Sequence, residues 1–248
     1  AARSVLAGTV TAVPKNRDGI VESIRALRTA RSGAVKARSA AGGALHGMIV
    51  AAPAELRSAL EGLPRSALVR TCAALRPDRQ RLAGPPQATK VALRSLARRI
   101  VMLDAEVDEL DVALSQLVHR AAPRTIALRA TGVDHAGQLL VTAGEQPERL
   151  RSEGAFAHLC GVAPIPASSG RTQRHRLHRG GDRAANRALH LAVVVRMRCC
   201  PRTRRYVERR TAEGLSKPEI MRCLKRYLAR EVFRTLTDDL LELQGLDE

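Results

Sequence analysis

Aromatic side chains are almost missing from this chain of 248 residues: two Phe, two Tyr and no Trp. Recognition of nucleic acid by stacking bases on aromatic platforms needs more of them. Long apolar runs are missing as well. No stretch approaches the ~18 uninterrupted apolar residues of a membrane span, and no secretory leader pattern stands at the start. Cysteine is sparse and odd in number (Cys72, Cys160, Cys199, Cys200 and Cys223) and forms no C-x-x-C pair. That excludes a disulfide framework and fits a reducing cytoplasm. His175 and His178 with Cys199 and Cys200 could suggest zinc, but adjacent cysteines rarely hold one tetrahedral ion together and the spacing is unfamiliar. Lysine is scarce, five residues against 37 Arg. The first residue is Ala rather than Met, from which a fragment or a processed chain is expected.

What is present is apolar and basic. Residues of the apolar class make up 45%, enough for real cores, so wholesale disorder is excluded. Lys and Arg number 42 against 24 Asp and Glu, a formal net charge of +18. A GC-rich genome would enrich Arg and Ala without any functional reason, but it would not place them. Residues 171–230 hold 18 basic and 4 acidic side chains, a net +14 of that +18. A field confined to one stretch marks a polyanion-binding face, because exposed cations gain free energy by releasing counterions from phosphates.

Periodicity predicts a mainly helical protein. A helix is expected from Asp18, its N-cap, with Ile20, Ile24 and Leu27 on one face, after an extended piece at residues 9–14. Short helices follow Pro53, and residues 76–87 read as a loop. Leu93, Leu96, Ile100, Leu103, Val107, Leu110, Leu114 and Leu117 are spaced 3-4-3-4-3-4-3, an a/d seam that predicts a coiled coil. Its partner is either an antiparallel helix of the same chain or the same helix of a second subunit. The second is favoured, giving a homo-oligomer through residues 93–117, since no equally regular run exists elsewhere. Asp104, Asp108 and Asp111 share a face of this helix and could hold Mg²⁺, although a solvated flank is the simpler reading.

Beyond Pro123 the pattern changes. Residues 125–144 read as helix, tight turn and helix. They are similar to a helix-hairpin-helix, in which Gly132 and Asp134 would sit at the phosphate-gripping turn; a purely structural αα-hairpin is equally open. A short helix is expected at residues 156–161 and a loop at 162–170. A basic arm that could be β-like covers 171–179, broken by Gly180-Gly181. Asp182 is placed to cap the next helix, Pro201 to break it, and Gly214 to end a basic helix over 202–213. A last helix over about 217–243 puts Ile220, Leu224, Leu228, Val232, Leu236 and Leu240 on one stripe. The expected boundaries are thus 1–52, 53–122 and 123–248.

The order of features is specific. Gly161-Val162-Ala163-Pro164, then Ser168-Ser169-Gly170, a basic arm, Gly180-Gly181-Asp182 and Asn186-Arg187-Ala188-Leu189 resemble the C-terminal domain of the IS110 family of insertion-sequence transposases. The run Pro14-Lys15-Asn16-Arg17-Asp18-Gly19-Ile20 through Val35-Lys36-Ala37-Arg38 resembles the same family just past its RuvC-like α/β fold, and the heptad helix resembles the coiled coil between the two. The resemblance spans nearly the whole chain. It implies a remnant of a RuvC-like domain at 1–52, a helical and coiled-coil insertion at 53–122, and a serine-bearing transposase domain at 123–248.

In that family a Mg²⁺ site of four acidic residues acts with a serine that breaks DNA through a phosphoserine link, guided by a structured RNA. The resemblance therefore implies DNA and a guide RNA as partners and places the nucleophile at Ser169 or Ser168, with Ser169, next to the glycine, preferred. A hydroxyl on a Gly-flanked loop near Arg171, Arg174 and Arg176 suits attack on a phosphorus whose developing charge the guanidiniums stabilise. Arg179, Arg183, Asn186 and Arg187 are the further candidate DNA contacts. Two serines before a glycine also make an ordinary turn or cap. The acidic positions of the family fall before Ala1, so an N-terminally truncated transposase without its Mg²⁺ ligands is expected, inactive alone, in a bacterial cytoplasm at the nucleoid. The alternative is a non-enzymatic basic DNA- or RNA-binding protein dimerised by the heptad helix. A tyrosine recombinase, with Tyr206 or Tyr227 as nucleophile, would need a His followed three residues later by Arg, and no His here has one.

Overall fold

A computed structural model of the chain describes residues 18–170, 175–176 and 178–246, together with residues 3, 6 and 7. The extended piece expected at 9–14 lies outside the described residues. The described residues are mainly α-helical, with one antiparallel pair of two-residue strands. They form two compact units, 27–113 and 1–26 with 114–248. The division falls inside two long helices, α1 (Ile20–Val50) and α4 (Pro85–Ala121), instead of at residues 52 and 122.

In unit 27–113, α1 and α4 are antiparallel. Arg31 is ion-paired with Asp111, and Arg38 with Asp104 at 2.8 Å. One number rises by seven as the other falls by seven, which is an antiparallel heptad register. The seam of α4 therefore has a partner within the chain, where a second subunit was expected. Leu93, Ile100 and Val107, one line of the seam, are buried, while Leu96, Leu103 and Leu110 are half-buried. The opposing line on α1 includes Ala34, Ala41, Leu45 and Ile49. Its alanines disguise the heptad in an Ala-rich sequence, yet small residues let the leucines of α4 approach closely. Asp104 and Asp111 thus serve as partners to arginines of α1, and neither belongs to a metal cluster. The short helices α2 (Ala54–Leu60) and α3 (Arg65–Ala73) contribute Leu56, Leu60, Val69 and Cys72 to the same core. Burial raises the Cys72 thiol pKa.

The second unit is organised by α10 (Lys217–Leu246), whose six stripe residues are all buried as the i, i+4 spacing predicts. It packs on α5 (Pro123–Ala127), α7 (Glu153–Leu159), α8 (Arg183–Cys199) and α9 (Pro201–Ala212). Buried Asp239 of α10 caps α5, accepting from the Arg124 and Thr125 backbone N–H groups at 3.0 and 2.9 Å and from Thr125 Oγ1 at 2.7 Å. These supply acceptors for orphan donors at the helix start. Helix α6 (Val133–Ala143) packs on α8. Pro201 takes Cys200 to φ −99°, ψ 113°, out of helical geometry, and Gly214 follows α9 at φ +85°. Both aromatic types are spent on internal pairs. The rings of Phe156 and Phe233 lie 6.1 Å apart, and those of Tyr206 and Tyr227 meet edge-on at 5.6 Å.

Candidate nucleic-acid interface

The serine-bearing loop is a β-hairpin. Strand β1 (Ile165–Pro166) pairs with β2 (His175–Arg176), Ile165 opposite Arg176 and Pro166 opposite His175. Ser168, Ser169 and Gly170 lie beyond β1 on the way to the tip, all exposed, with Gly170 left-handed at φ +55°. Arg171 and Arg174, expected beside the serines, lie outside the described residues; the arm is β-like where it is described. Arg176 is exposed on β2.

Two glycine corners hold the hairpin to the helices behind it. Gly161 (φ +64°) and Gly181 (φ +82°) stand back to back; a Cβ on Gly161 would meet the Gly180 carbonyl oxygen at 2.6 Å, and one on Gly181 would meet the Gly161 nitrogen at 2.5 Å. Neither the left-handed conformation nor the space admits a larger residue. The Asp182 N–H donates to the Leu159 carbonyl at 2.7 Å. The Asp182 carboxylate caps α8, accepting from the Ala184 N–H at 2.7 Å, as its position predicts, and also accepts from Thr142 Oγ1 of α6 at 2.6 Å. The sequence blocks 161–164 and 180–189 are therefore two halves of one packed frame.

Asn186 belongs to that frame. Its Nδ2 donates to the Gly161 and Cys160 carbonyls at 2.7 and 3.2 Å, and its Oδ1 accepts from Lys225 Nζ at 3.0 Å. An amide committed to three partners has no donor left for a base edge, which corrects the expectation of a DNA contact there. Lys225 is itself buried, and burial followed by the nearby Arg222 charge lowers its pKa. Cys160 beneath the corner is pushed up to about 12, chiefly by burial and secondarily by Asp182.

Arg179, Arg183 and Arg187 are all exposed. Arg183 and Arg187 are one turn apart on α8 and share a face, next in sequence to the hairpin. Not all basic residues of the stretch are free for a ligand. Arg196 donates to Glu231 at 2.5 Å and to the Arg129 carbonyl, and Arg226 and Arg230 share Glu153 at 2.8 and 2.6 Å. The Arg230 hydrogen bond is the main reason that the Glu153 pKa is lowered. At the other candidate turn, helix α5 has only five residues, and Gly132 is the N-cap of α6 without a side-chain cap. Asp134 is exposed in the first turn of α6, where the helix favours a carboxylate; that same carboxylate repels a phosphate.

Mg²⁺, which the resemblance implies, has no fitting site among the described residues. No group of three or more His, Cys, Asp or Glu comes together there, and the two outer aspartates of α4 are ion-paired with arginines. Among the described residues no helix is long and apolar enough to cross a membrane.

Residues 127–208, from the end of α5 into α9, match the family model described as Transposase IS116/IS110/IS902 family. The hairpin, the glycine frame and α8 all lie inside that match, which makes this part of the chain similar to an insertion-sequence transposase domain. Two insertion-element proteins are similar to the chain. One is the insertion element IS900 uncharacterized 42 kDa protein of Mycobacterium paratuberculosis, 26% identical over 155 residues, which cover 61% of this chain and 39% of that protein. The other is the insertion element IS110 uncharacterized 43.6 kDa protein of Streptomyces coelicolor, 29% identical over 166 residues, covering 65% of this chain and 40% of that protein. The chain spans about two fifths of the length of these relatives.

Proposed function

We propose that this chain is the DNA-handling, serine-bearing part of an insertion-sequence transposase. The observation that carries the reading is the coincidence, inside the family match, of an exposed serine hairpin with an exposed arginine row. Arg176, Arg179, Arg183 and Arg187 would neutralise successive phosphates, with Arg171 and Arg174 of the arm beside them. Ser169 is the proposed nucleophile and Ser168 the alternative. The Ser169 Oγ gives up its proton and forms a bond to phosphorus as the bond from phosphorus to a deoxyribose oxygen breaks, and that oxygen takes up a proton. One phosphodiester replaces another, and guanidiniums favour the extra charge of the transition state. A structured guide RNA presents the same phosphate chemistry and would compete for the same arginine row.

Fluorescence anisotropy with a labelled DNA duplex tests the reading. Binding should weaken steeply with added salt, and an RNA hairpin should displace the duplex. Ser169→Ala should bind DNA as the parent does; in a protein that joins this chain to an acidic metal site, it should lose the covalent serine–DNA product. Binding that is absent or insensitive to salt would overturn the proposal.

A further inference from the structure

Behind the hairpin lies a cavity of about 730 Å³, within the size range of small-ligand sites. Its walls come from three separate stretches: Gly161–Pro164 at the foot of the hairpin, His175, Arg176 and His178 at its return, and a helical wall from α9 and α10. The chemistry of the lining is one-sided. Arg176, Arg210, Arg222, Lys225, Arg226 and Arg230 all face it, and Glu219 is the one carboxylate among its described lining residues. The neighbouring glutamates only partly offset this charge. Glu153 serves both Arg226 and Arg230, Glu213 pairs with Arg210, and Glu219 stands 3.9 Å from Arg222. Six cations thus meet three carboxylates, an excess of three, and Lys225 has an amide oxygen as its only hydrogen-bond partner among the described residues.

Three buried nitrogens of this lining have no hydrogen-bond partner among the described residues: Arg226 Nη1, Arg210 Nε and His178 Nδ1. The two guanidinium nitrogens are obligate donors, and a buried donor without an acceptor is costly. Unpartnered guanidinium nitrogens also occur at Arg38 and Arg149, outside the lining of this cavity, so what favours an occupant here is the excess of positive charge, which a group with negative charge and several acceptor oxygens would neutralise. A phosphate group has both, and guanidiniums match its geometry.

We propose that this cavity binds one phosphate group, that of a DNA strand running along the serine hairpin. The assignment to a DNA strand rests on the DNA-handling reading above; the anion chemistry does not. Arg176, on the hairpin strand, lines the cavity and also belongs to the exposed arginine row, so it joins the two surfaces. The lowered pKa of Lys225 agrees with a cation left without an anionic partner.

Thermal unfolding in inorganic phosphate, against chloride at matched ionic strength, reads the cavity directly. The parent Tm should rise by about 3 °C at a phosphate concentration some tenfold above Kd. Phosphate also stabilises proteins generally by exclusion, so the informative quantity is the difference from Lys225→Met, which should lose most of the increment. Because Lys225→Met also strips Asn186 of a partner, Arg222→Gln, at a half-exposed position, is the second variant and should lose a similar share. An equal increment in the parent and in both variants, or none in the parent, overturns the proposal. A short labelled single-stranded DNA forms the second arm, and the variants should weaken its binding about tenfold. DNA binding unchanged in the variants, with no phosphate increment in the parent, sinks the cavity site and leaves the DNA-handling reading standing. A phosphate increment lost in the variants, with no DNA bound by any form, overturns the strand assignment and that reading together, with free phosphate as the ligand.

Discussion

The two units use arginine in opposite ways. Residues 27–113 carry fourteen basic and eight acidic side chains, and Arg31 and Arg38 are spent on fixing the register of α1 against α4 through Asp111 and Asp104. Residues 171–230 carry eighteen against four, and there carboxylates are too few: Glu153 must serve two arginines, while Arg176, Arg179, Arg183 and Arg187 are exposed with no ion pair among the described residues. Charge number therefore says less than charge balance within reach. A basic residue marks a ligand surface only where the fold withholds its counterion.

Removing the unbalanced cations should have the largest effect on binding. Arg176, Arg179, Arg183 and Arg187 changed together to Ala should lower duplex affinity about a hundredfold near 0.1 M salt and reduce the salt slope by about 3. The Tm should hardly move, since exposed side chains with no partner contribute little to stability. Anisotropy across a salt series reads the first effect and thermal unfolding the second. A large drop in Tm with an unchanged salt slope would mean that these arginines are structural, as in the other unit.

Asn186 gives the next largest effect and tests the frame. Asn186→Ala removes two hydrogen bonds to loop carbonyls and leaves Lys225 buried without its oxygen, a cost of about 2–3 kcal/mol. The Tm should fall by about 4–10 °C. Well below that Tm the salt slope should match the parent's, because no phosphate contact has been removed. A slope lower by one at unchanged Tm would return Asn186 to the DNA-contacting set.

Legibility in the sequence followed locality. The α10 stripe was readable because six buried residues repeat every fourth position, and the caps at Asp182, Pro201 and Gly214 because each acts on its own neighbours. The α4 seam was readable, but its partner was hidden, since Ala34 and Ala41 look like any other alanine in an Ala-rich chain. The order of the glycine and serine blocks pointed to the family. It could not show that Gly161 and Gly181 touch, or that Asn186 turns its amide onto carbonyls instead of a ligand, because an amide reads the same either way. The cavity was invisible for a stronger reason. Its lining comes from residues 161–164, from His175, Arg176 and His178, and from the stretch between Arg210 and Arg230, and nothing local marks Arg210 and Arg226 as facing one space.

The smallest expected effect lies in the hairpin of α1 and α4, and it separates the two uses of arginine most directly. Arg31→Gln and Arg38→Gln remove cations from the chain just as the arginine-row variant does. Here, however, each cation faces a carboxylate at a side-chain exposure of 28–30% for the arginines and 46–49% for the aspartates. Solvent screens such pairs, so each should contribute only about 0.5 kcal/mol. A double-mutant cycle with Asp111→Asn should return a coupling of that size for Arg31, shrinking as salt is added. Duplex affinity and salt slope should stay as in the parent, because a cation already paired releases no counterion when DNA arrives. If the slope instead fell by about 2, those arginines would be contacting phosphates, and the division of labour between paired and unpaired cations would fail.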